Sequence, residues 1–480
     1  MMPEAILPLL VLLPLLSVLV AVALPSGAGR WLAVICLAIL ALLLWPLTTA
    51  VLAQGGVEHV LAGVALPLGI RLSVDGFGLL MLWLVEVVML AATAHAWGDR
   101  ARGGSGLFWP AWLGLLAGLN ALLISTDLFN LYVGLEVLTL SAVALVASGG
   151  GREAVWAALR YLLLGMLASL AYLLGVALIY AMTGTLDMTA VGLSSRSDPT
   201  VALALALMVA GLLLKSAIFP LHGWLPPAHA SAPGAVSALL SALVVKASLY
   251  VLYRLWFWAE PPLSLIAAGQ VLALLGAGAL VAGSVLAFRQ HRLKRLVAYS
   301  TVAQLGYLML VFAVPTAAAW QGTVYHLLSH GLAKAAMFLA AGNLLVGLGS
   351  DRMDRLAGAD ARLPISVFAF GLAAVSLIGL PPSGGFIAKW LLLTAVWRPE
   401  HAFWAVLLLL GSLLSAAYLF RALARMFSRP LAGAPDAGRP VPRLAETAAL
   451  ALALAAIVAG FVPALVLPAV VVPPGFGSSP

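Results

Sequence analysis

Fourteen apolar runs follow one another along this 480-residue chain, each ended by glycine, proline or charge. They lie near 6–24, 31–53, 76–97, 108–125, 128–147, 157–182, 201–219, 235–258, 264–288, 296–314, 321–346, 364–396, 402–427 and 444–470. A bilayer core of about 30 Å needs roughly 20 mostly apolar residues per helical span. Runs of this length specify membrane-crossing helices. With 64% hydrophobic and 9% charged residues, little sequence is left for a water-soluble domain. The expected fold class is an all-α polytopic membrane protein of about fourteen transmembrane helices.

The first run follows Glu4 rather than a basic stretch, and has no clear small-residue cleavage site before Trp31, so it reads as a retained helix. The single Cys36 lies within the second run, which excludes a disulfide framework, a cysteine-held cluster and covalent haem attachment. It reads as helix packing. The formal net charge of +8 does not call for nucleic acid, because the basic residues are scattered through short loops.

Their distribution gives a direction. Odd-numbered connections hold Arg30, Arg100, Arg102, Arg152, Arg160, Arg289, Arg292, Lys294, Arg295, Arg352, Arg355, Arg362, Arg421, Arg425, Arg429, Arg439 and Arg443; even ones hold only Arg71, Arg196, Arg254 and Arg398. Seventeen against four places the odd connections in the cytoplasm of a cell (inner) membrane and both termini outside.

The remaining basic residues, Lys215, Lys246, Lys334 and Lys389, fall inside predicted spans, and only Lys294 falls in a loop. A lysine at the bilayer centre costs about 2.5–3.5 kcal/mol on insertion scales, so four together need a reason. Snorkelling or pairing for packing accounts for one such residue better than for all four. Arginine stays protonated in proteins, whereas a desolvated lysine takes up and releases a proton. Glu86 and Glu136 are the acids well inside spans, with Asp127 at a helix boundary. A carboxylate beside a buried ammonium favours its charged form, so a Glu–Lys pair that opens is a proton switch. Glu136 is the better candidate; Glu86 serves a helix contact equally well. In the eleventh run His326, His330 and Lys334 recur at i, i+4 and i+8 beside Tyr325, one face of a helix suited to proton relay. Two histidines one turn apart cannot supply both axial ligands of one haem, and no acidic or cysteine cluster accompanies them, so no metal and no cofactor is expected.

Two spans should be broken. Pro220, Pro226 and Pro227 follow Lys215, and Pro381, Pro382, Gly384 and Gly385 precede Lys389. Proline removes a donor and clashes with the preceding turn, and broken helices are tolerated where they line a polar cavity. The breaks fall in spans seven and twelve. An offset of five inverts one unit relative to the other, the design of inverted-repeat transporters.

These residues carry a resemblance. Leu128 through Glu136, Lys215-Ser-Ala-Ile-Phe-Pro-Leu-His-Gly-Trp-Leu-Pro, His229-Ala-Ser-Ala-Pro, Tyr299 through Tyr307 and His326 through Lys334 are similar to the antiporter-like subunits of respiratory complex I, membrane-bound hydrogenases and Mrp cation/proton antiporters. Asp127-Leu-Phe-Asn-Leu-Tyr, Tyr161-Leu-Leu-Leu-Gly and Thr183-Gly-Thr-Leu-Asp-Met resemble the D-type branch of Mrp subunits most, while Ser329 through Lys334 reads closer to complex I and hydrogenase subunits. The resemblance implies N-terminal helices over 1–107, one five-helix repeat over 108–258, its inverted partner over 264–427 and a last helix with its tail over 428–480. It implies Glu136 and Lys215 as the paired switch, Lys246 as central relay, His330 and Lys334, with His326, as the link, and Lys389 as the terminal group. Glu86 stands outside the pattern. The short stretch after the last run argues against the largest complex I antiporter-like subunit. The expected function is proton and cation translocation in a multi-subunit Mrp-type Na+(K+)/H+ antiporter; the alternative is a pumping subunit of an NADH-quinone oxidoreductase or hydrogenase complex, without a redox site of its own. The expected partners are other membrane subunits, protons with sodium or potassium, and the lipid bilayer.

Overall fold

The computed structural model describes residues 2–25, 27–64, 69–97, 106–189, 191, 198–258, 266–429, 438–474 and 476. Arg100, Arg102 and Arg196 lie outside them. The chain runs through α1 (Ile6–Ala23), α2 (Gly29–Gln54), β1 (Gly56–Val60), β2 (Arg71–Asp75), α3 (Gly76–Trp97), α4 (Phe108–Ile124), α5 (Leu128–Ala147), α6 (Gly151–Thr183) and α7 (Pro199–Lys215). Next come α8 (Leu225–Ser231), α9 (Gly234–Leu239), a π-helical stretch (Leu240–Val244), α10 (Val245–Phe257), α11 (Ile266–Phe288), α12 (Leu293–Leu308) and α13 (Ala317–Leu348). The last elements are α14 (Ala359–Arg362), α15 (Pro364–Ile378), α16 (Gly384–Val396), α17 (Ala402–Met426), α18 (Arg443–Val458) and α19 (Pro463–Val466).

Side-chain caps fix several helix starts. Asp127 accepts from the Asn130 N–H at 2.7 Å before α5, Thr316 from Ala319 at 3.2 Å before α13, and Ser383 from Phe386 at 3.2 Å before α16. Ten described helices are long and apolar enough to cross a membrane, or eleven if α18 and the bent segment after it count as one span; α4, α7, α15 and α16 are shorter apolar helices. The chain is a multi-pass, mostly helical membrane protein.

The stretch from α9 to α10 is buried throughout, and α12 and α13 nearly so, whereas fewer than half the residues of α1, α2, α6 and α17 are buried. In a bilayer this order is expected: apolar side chains gain nothing by leaving lipid, so the outer helices stay greasy outward while the polar groups collect within.

Two expectations change. The fold is not purely helical, because β1 and β2 form an antiparallel hairpin pairing Gly56 with Asp75 and Val60 with Arg71. The alternation that buries Val57, Leu72 and Val74 sits in a connection between two apolar runs, where hydropathy alone gives no signal. Lys294 is not in a loop: it lies in the first turn of α12, is 1% exposed, and donates to the Ala232 carbonyl. All five lysines of the chain are therefore enclosed by protein. The twelfth run, expected to be broken, is two helices, α15 and α16, separated at residues 379–383.

Contacts between connections sort into two sets. In one, Arg71 pairs with Asp187 at 2.7 Å, Arg254 with Asp75 at 2.5 Å, and Leu72 bridges Ser125. In the other, Arg292 bridges Arg352 and pairs with Asp351 at 2.9 Å, Gly358 donates to the Ser428 carbonyl at 2.8 Å, and Arg421 donates to the Phe288 carbonyl.

Candidate functional site

Helix α7 stops at Lys215 and the chain turns through residues 216–220, with Ala217 at φ 54°, before short helices resume at Leu221. This stop brings Lys215 against α5. Its amine is 3.6 Å from Glu136 Oε1 and donates to Thr139 Oγ1 at 2.7 Å, and Ser169 of α6 donates to the same Glu136 oxygen. Glu136 and Thr139 are three residues apart, so one face of α5 presents both to the ammonium. Lys215 is 6% exposed.

Lys246 follows the π-helical stretch directly and is 0% exposed. Its amine donates to the Ser241 carbonyl at 2.9 Å, within the stretch whose hydrogen-bond pattern is shifted. Such π turns place side chains that a regular helix would point elsewhere, and they recur at functional sites. The π-helical stretch before Lys246 packs against α13, the helix that carries His326, His330 and Lys334.

The three predicted residues of α13 do share one face. His326 and His330 stack with ring centroids 5.5 Å apart at an interplanar angle of 5°. His330 is 1% exposed, and neither of its ring nitrogens meets a hydrogen-bond partner among the described residues. Lys334 donates to Ser300 Oγ at 2.6 Å and to the Val297 carbonyl at 2.5 Å. Tyr325 points away, its hydroxyl donating to the Ala459 carbonyl.

Lys389 sits just beyond the second break. Its amine donates to the Leu377 carbonyl at 2.9 Å, the Ile378 carbonyl at 3.0 Å and Ser412 Oγ at 3.2 Å, and lies 4.4 Å from the centre of the Tyr307 ring. The last carbonyls of a helix have no intrahelical partner and carry the negative end of its dipole, so a cation there is well placed. Gly379 makes this possible. Its φ is +88°, and a Cβ there would lie 2.7 Å from Lys389 Cδ.

The sequence singles out Tyr299 through Tyr307 and His229 only through the resemblance and assigns their side chains no role, yet α12 links these groups. Along α12, Ser300 meets Lys334 at 2.6 Å, Thr301 meets Ser241 Oγ at 2.9 Å, Gln304 donates to the Leu377 carbonyl at 3.2 Å, and Tyr307 lies under Lys389. Residues 300, 304 and 307 have helical spacing, and polar side chains at that spacing in an apolar run are a readable signal. His229 is a second such residue. It is 0% exposed, stacks on Phe338 at 4.4 Å, and has no hydrogen-bond partner for either ring nitrogen among the described residues.

Glu86 forms no ion pair with these lysines among the described residues. It is 2% exposed on α3, its Oε1 without a hydrogen-bond partner among the described residues. Lys215 with Glu136, and Lys246 with the α13 residues, form two clusters that no described hydrogen bond or ion pair joins directly. Among the described residues no group of histidine, cysteine and acidic side chains is arranged to hold a metal ion.

Comparison with known proteins now bears on the whole arrangement. Residues 125–415 match the family described as NADH:quinone oxidoreductase/Mrp antiporter, TM. The chain is 41% identical over 397 residues to NADH-quinone oxidoreductase subunit N of Desulforudis audaxviator, covering 80% of this chain and 78% of that protein. It is 31% identical over 358 residues to the D-type subunit of the Na(+)/H(+) antiporter of Alkalihalophilus pseudofirmus, covering 73% and 71%. Its fold superimposes on a chain of the Mrp complex from Dietzia sp. DQ12-45-1b with a TM-score of 0.88 at 28% identity, over 98% of this chain and 96% of that one. The matched region holds Glu136 and all five lysines, and the chain belongs to the NADH:quinone oxidoreductase/Mrp antiporter transmembrane family.

Proposed function

We propose that this chain is a proton-translocating membrane subunit of a redox-driven respiratory complex of the NADH-quinone oxidoreductase or hydrogenase type. The observation that carries the reading is the set of Glu136, Lys215, Lys246, His330, Lys334 and Lys389 within an apolar bundle, with Glu136 partly exposed, the lysines buried and each amine held by oxygen acceptors. The subunit N relative at 41% identity, against 31% for the antiporter relative, favours this branch over the Mrp-type expectation. The fold match to the Mrp complex keeps a Na+(K+)/H+ antiporter as the second reading.

Fourteen spans account for the two sets of connection contacts. Arg71–Asp187, Arg254–Asp75 and Leu72–Ser125 join even connections with even, while Arg292–Arg352, Gly358–Ser428 and Arg421–Phe288 join odd with odd. Miscounting by one span would mix the sets. Of the three described arginines on the even side, Arg71 and Arg254 are paired with aspartates and Arg398 is exposed; the pairing lightens the positive charge there and supports a plasma-membrane orientation with both termini outside. The breaks after Lys215 and before Lys389 support two inverted five-helix units.

In this reading the Glu136–Lys215 pair is the switch. While paired, the carboxylate holds the ammonium charged; when they separate, Lys215 hands its proton toward Lys246. The stacked His326 and His330 imidazoles carry the path toward Lys334 and Lys389. The α12 groups Ser300, Gln304 and Tyr307 hold the second half in register.

Purification of the tagged chain from its native membranes, followed by identification of the co-purifying subunits, tests the assignment. Flavin- or iron–sulfur-binding subunits are expected. A set of small antiporter subunits with no redox protein would transfer the chain to the second reading.

A further inference from the structure

Helix α6 is 33 residues long, about 50 Å at 1.5 Å per residue, and so outruns a hydrocarbon core of about 30 Å. Its first turns must stand in the headgroup layer. There Arg152, Trp156 and Arg160 recur at i, i+4 and i+8 on one face. The same face continues inward as Leu163, Leu167, Leu170 and Leu174, each more than half exposed.

A cleft of about 960 Å³ opens at the polar end of this face, between α6, α8 and the first turn of α12, and Arg152, Arg160 and Arg295 all line it. Glu153 is the one acidic residue in its lining. None of the three arginines has a carboxylate partner among the described residues. A basic cleft at the membrane boundary that gives way to an apolar track along the bilayer has the polarity of one ligand class, an anionic glycerophospholipid. Guanidinium forks match phosphate oxygens, the Trp156 ring suits the interfacial layer, and the leucine track suits an acyl chain.

We propose that this cleft is a specific binding site for an anionic phospholipid, with Arg152, Arg160 and Arg295 on the phosphate. The site also touches the switch region. Gly223 and Pro227, just past the break that follows Lys215, form its opposite wall, and Tyr161, next to Arg160, stacks on Trp224 at 4.2 Å and 7°. A lipid seated there braces the short helix after the break. The inference needs only the membrane placement of α6 and stands whichever ion the chain moves.

Native mass spectrometry of the full-length chain, released from detergent with added phosphatidylglycerol or phosphatidylcholine, tests the site. The wild-type chain should retain phosphatidylglycerol at least about tenfold more strongly. The combined Arg152→Gln, Arg160→Gln and Arg295→Gln variant should lose that preference, and Arg425→Gln, on α17, should keep it. Single substitutions, each lowering the preference in part at unchanged melting temperature, guard against a combined variant that fails to fold. No preference in the wild-type chain, or full preference in the combined variant, overturns the proposal. So does a photo-cross-linker at position 156 that labels a neighbouring protein subunit in native membranes instead of lipid.

Discussion

The amine of Lys389 closes the end of helix α15, 2.9 Å from the Leu377 carbonyl and 3.0 Å from that of Ile378. One group thus serves both the fold and the proposed chemistry, and substitutions separate the two. Lys389→Met leaves carbonyls without a partner and should cost about 1–3 kcal/mol of stability. Lys389→Arg keeps a cation at the break but holds its proton permanently. The arginine variant should assemble and yet pump at under about a tenth of the wild-type rate, read as proton uptake in proteoliposomes.

Gly379→Ala asks for a left-handed backbone at a residue with a Cβ, and that Cβ would sit 2.7 Å from Lys389 Cδ. The backbone cost alone is about 1–2 kcal/mol. Thermal unfolding should show the loss, and proton uptake should fall with it because Lys389 is displaced.

Thr139→Val removes the hydroxyl that Lys215 reaches at 2.7 Å while preserving shape and leaving Glu136 in place. A hydrogen bond to a charged group contributes about 1.5–3 kcal/mol. Pumping should slow by about tenfold or more with normal assembly, since the switch retains its acid but loses its second anchor. Ser300→Ala should act the same way on Lys334, whose amine lies 2.6 Å from that hydroxyl.

Arg254 and Asp75 pin the end of α10 to the start of α3 at 2.5 Å. Arg254→Gln strands a largely enclosed carboxylate and should destabilise the chain by about 3 kcal/mol in denaturation measurements. The double variant with Asp75→Asn should recover part of that loss.

Much of this is legible in the sequence because a lipid solvent makes exceptions conspicuous. Lysines at 215, 246, 334 and 389 stand out in apolar runs, and the i, i+4, i+8 spacing of His326, His330 and Lys334 does place them on one face. Lys294 reads as a loop residue because hydropathy marks where a run begins, not whether its first turn is covered by another segment; here the Ala232 carbonyl receives it. The hairpin at Val57 and Val74 escapes notice because short alternation carries little weight between long apolar runs. Ser300 and Gln304 lie in a stretch that carries the resemblance but receive no role of their own, because uncharged polar groups cost little in a span until their partners are known. Glu86 is visible but not interpretable from sequence, and the fold buries it on α3 without an ion pair among the described residues.

The central claim is that Glu136 and Lys215, 3.6 Å apart, form the switch that drives protons along the lysine line. Its most direct test is proton uptake by the assembled complex in proteoliposomes, with Glu136→Gln or Lys215→Ala, after checking that all subunits are present. Intact assembly with uptake reduced to background is expected in either variant. Wild-type uptake in either one contradicts it.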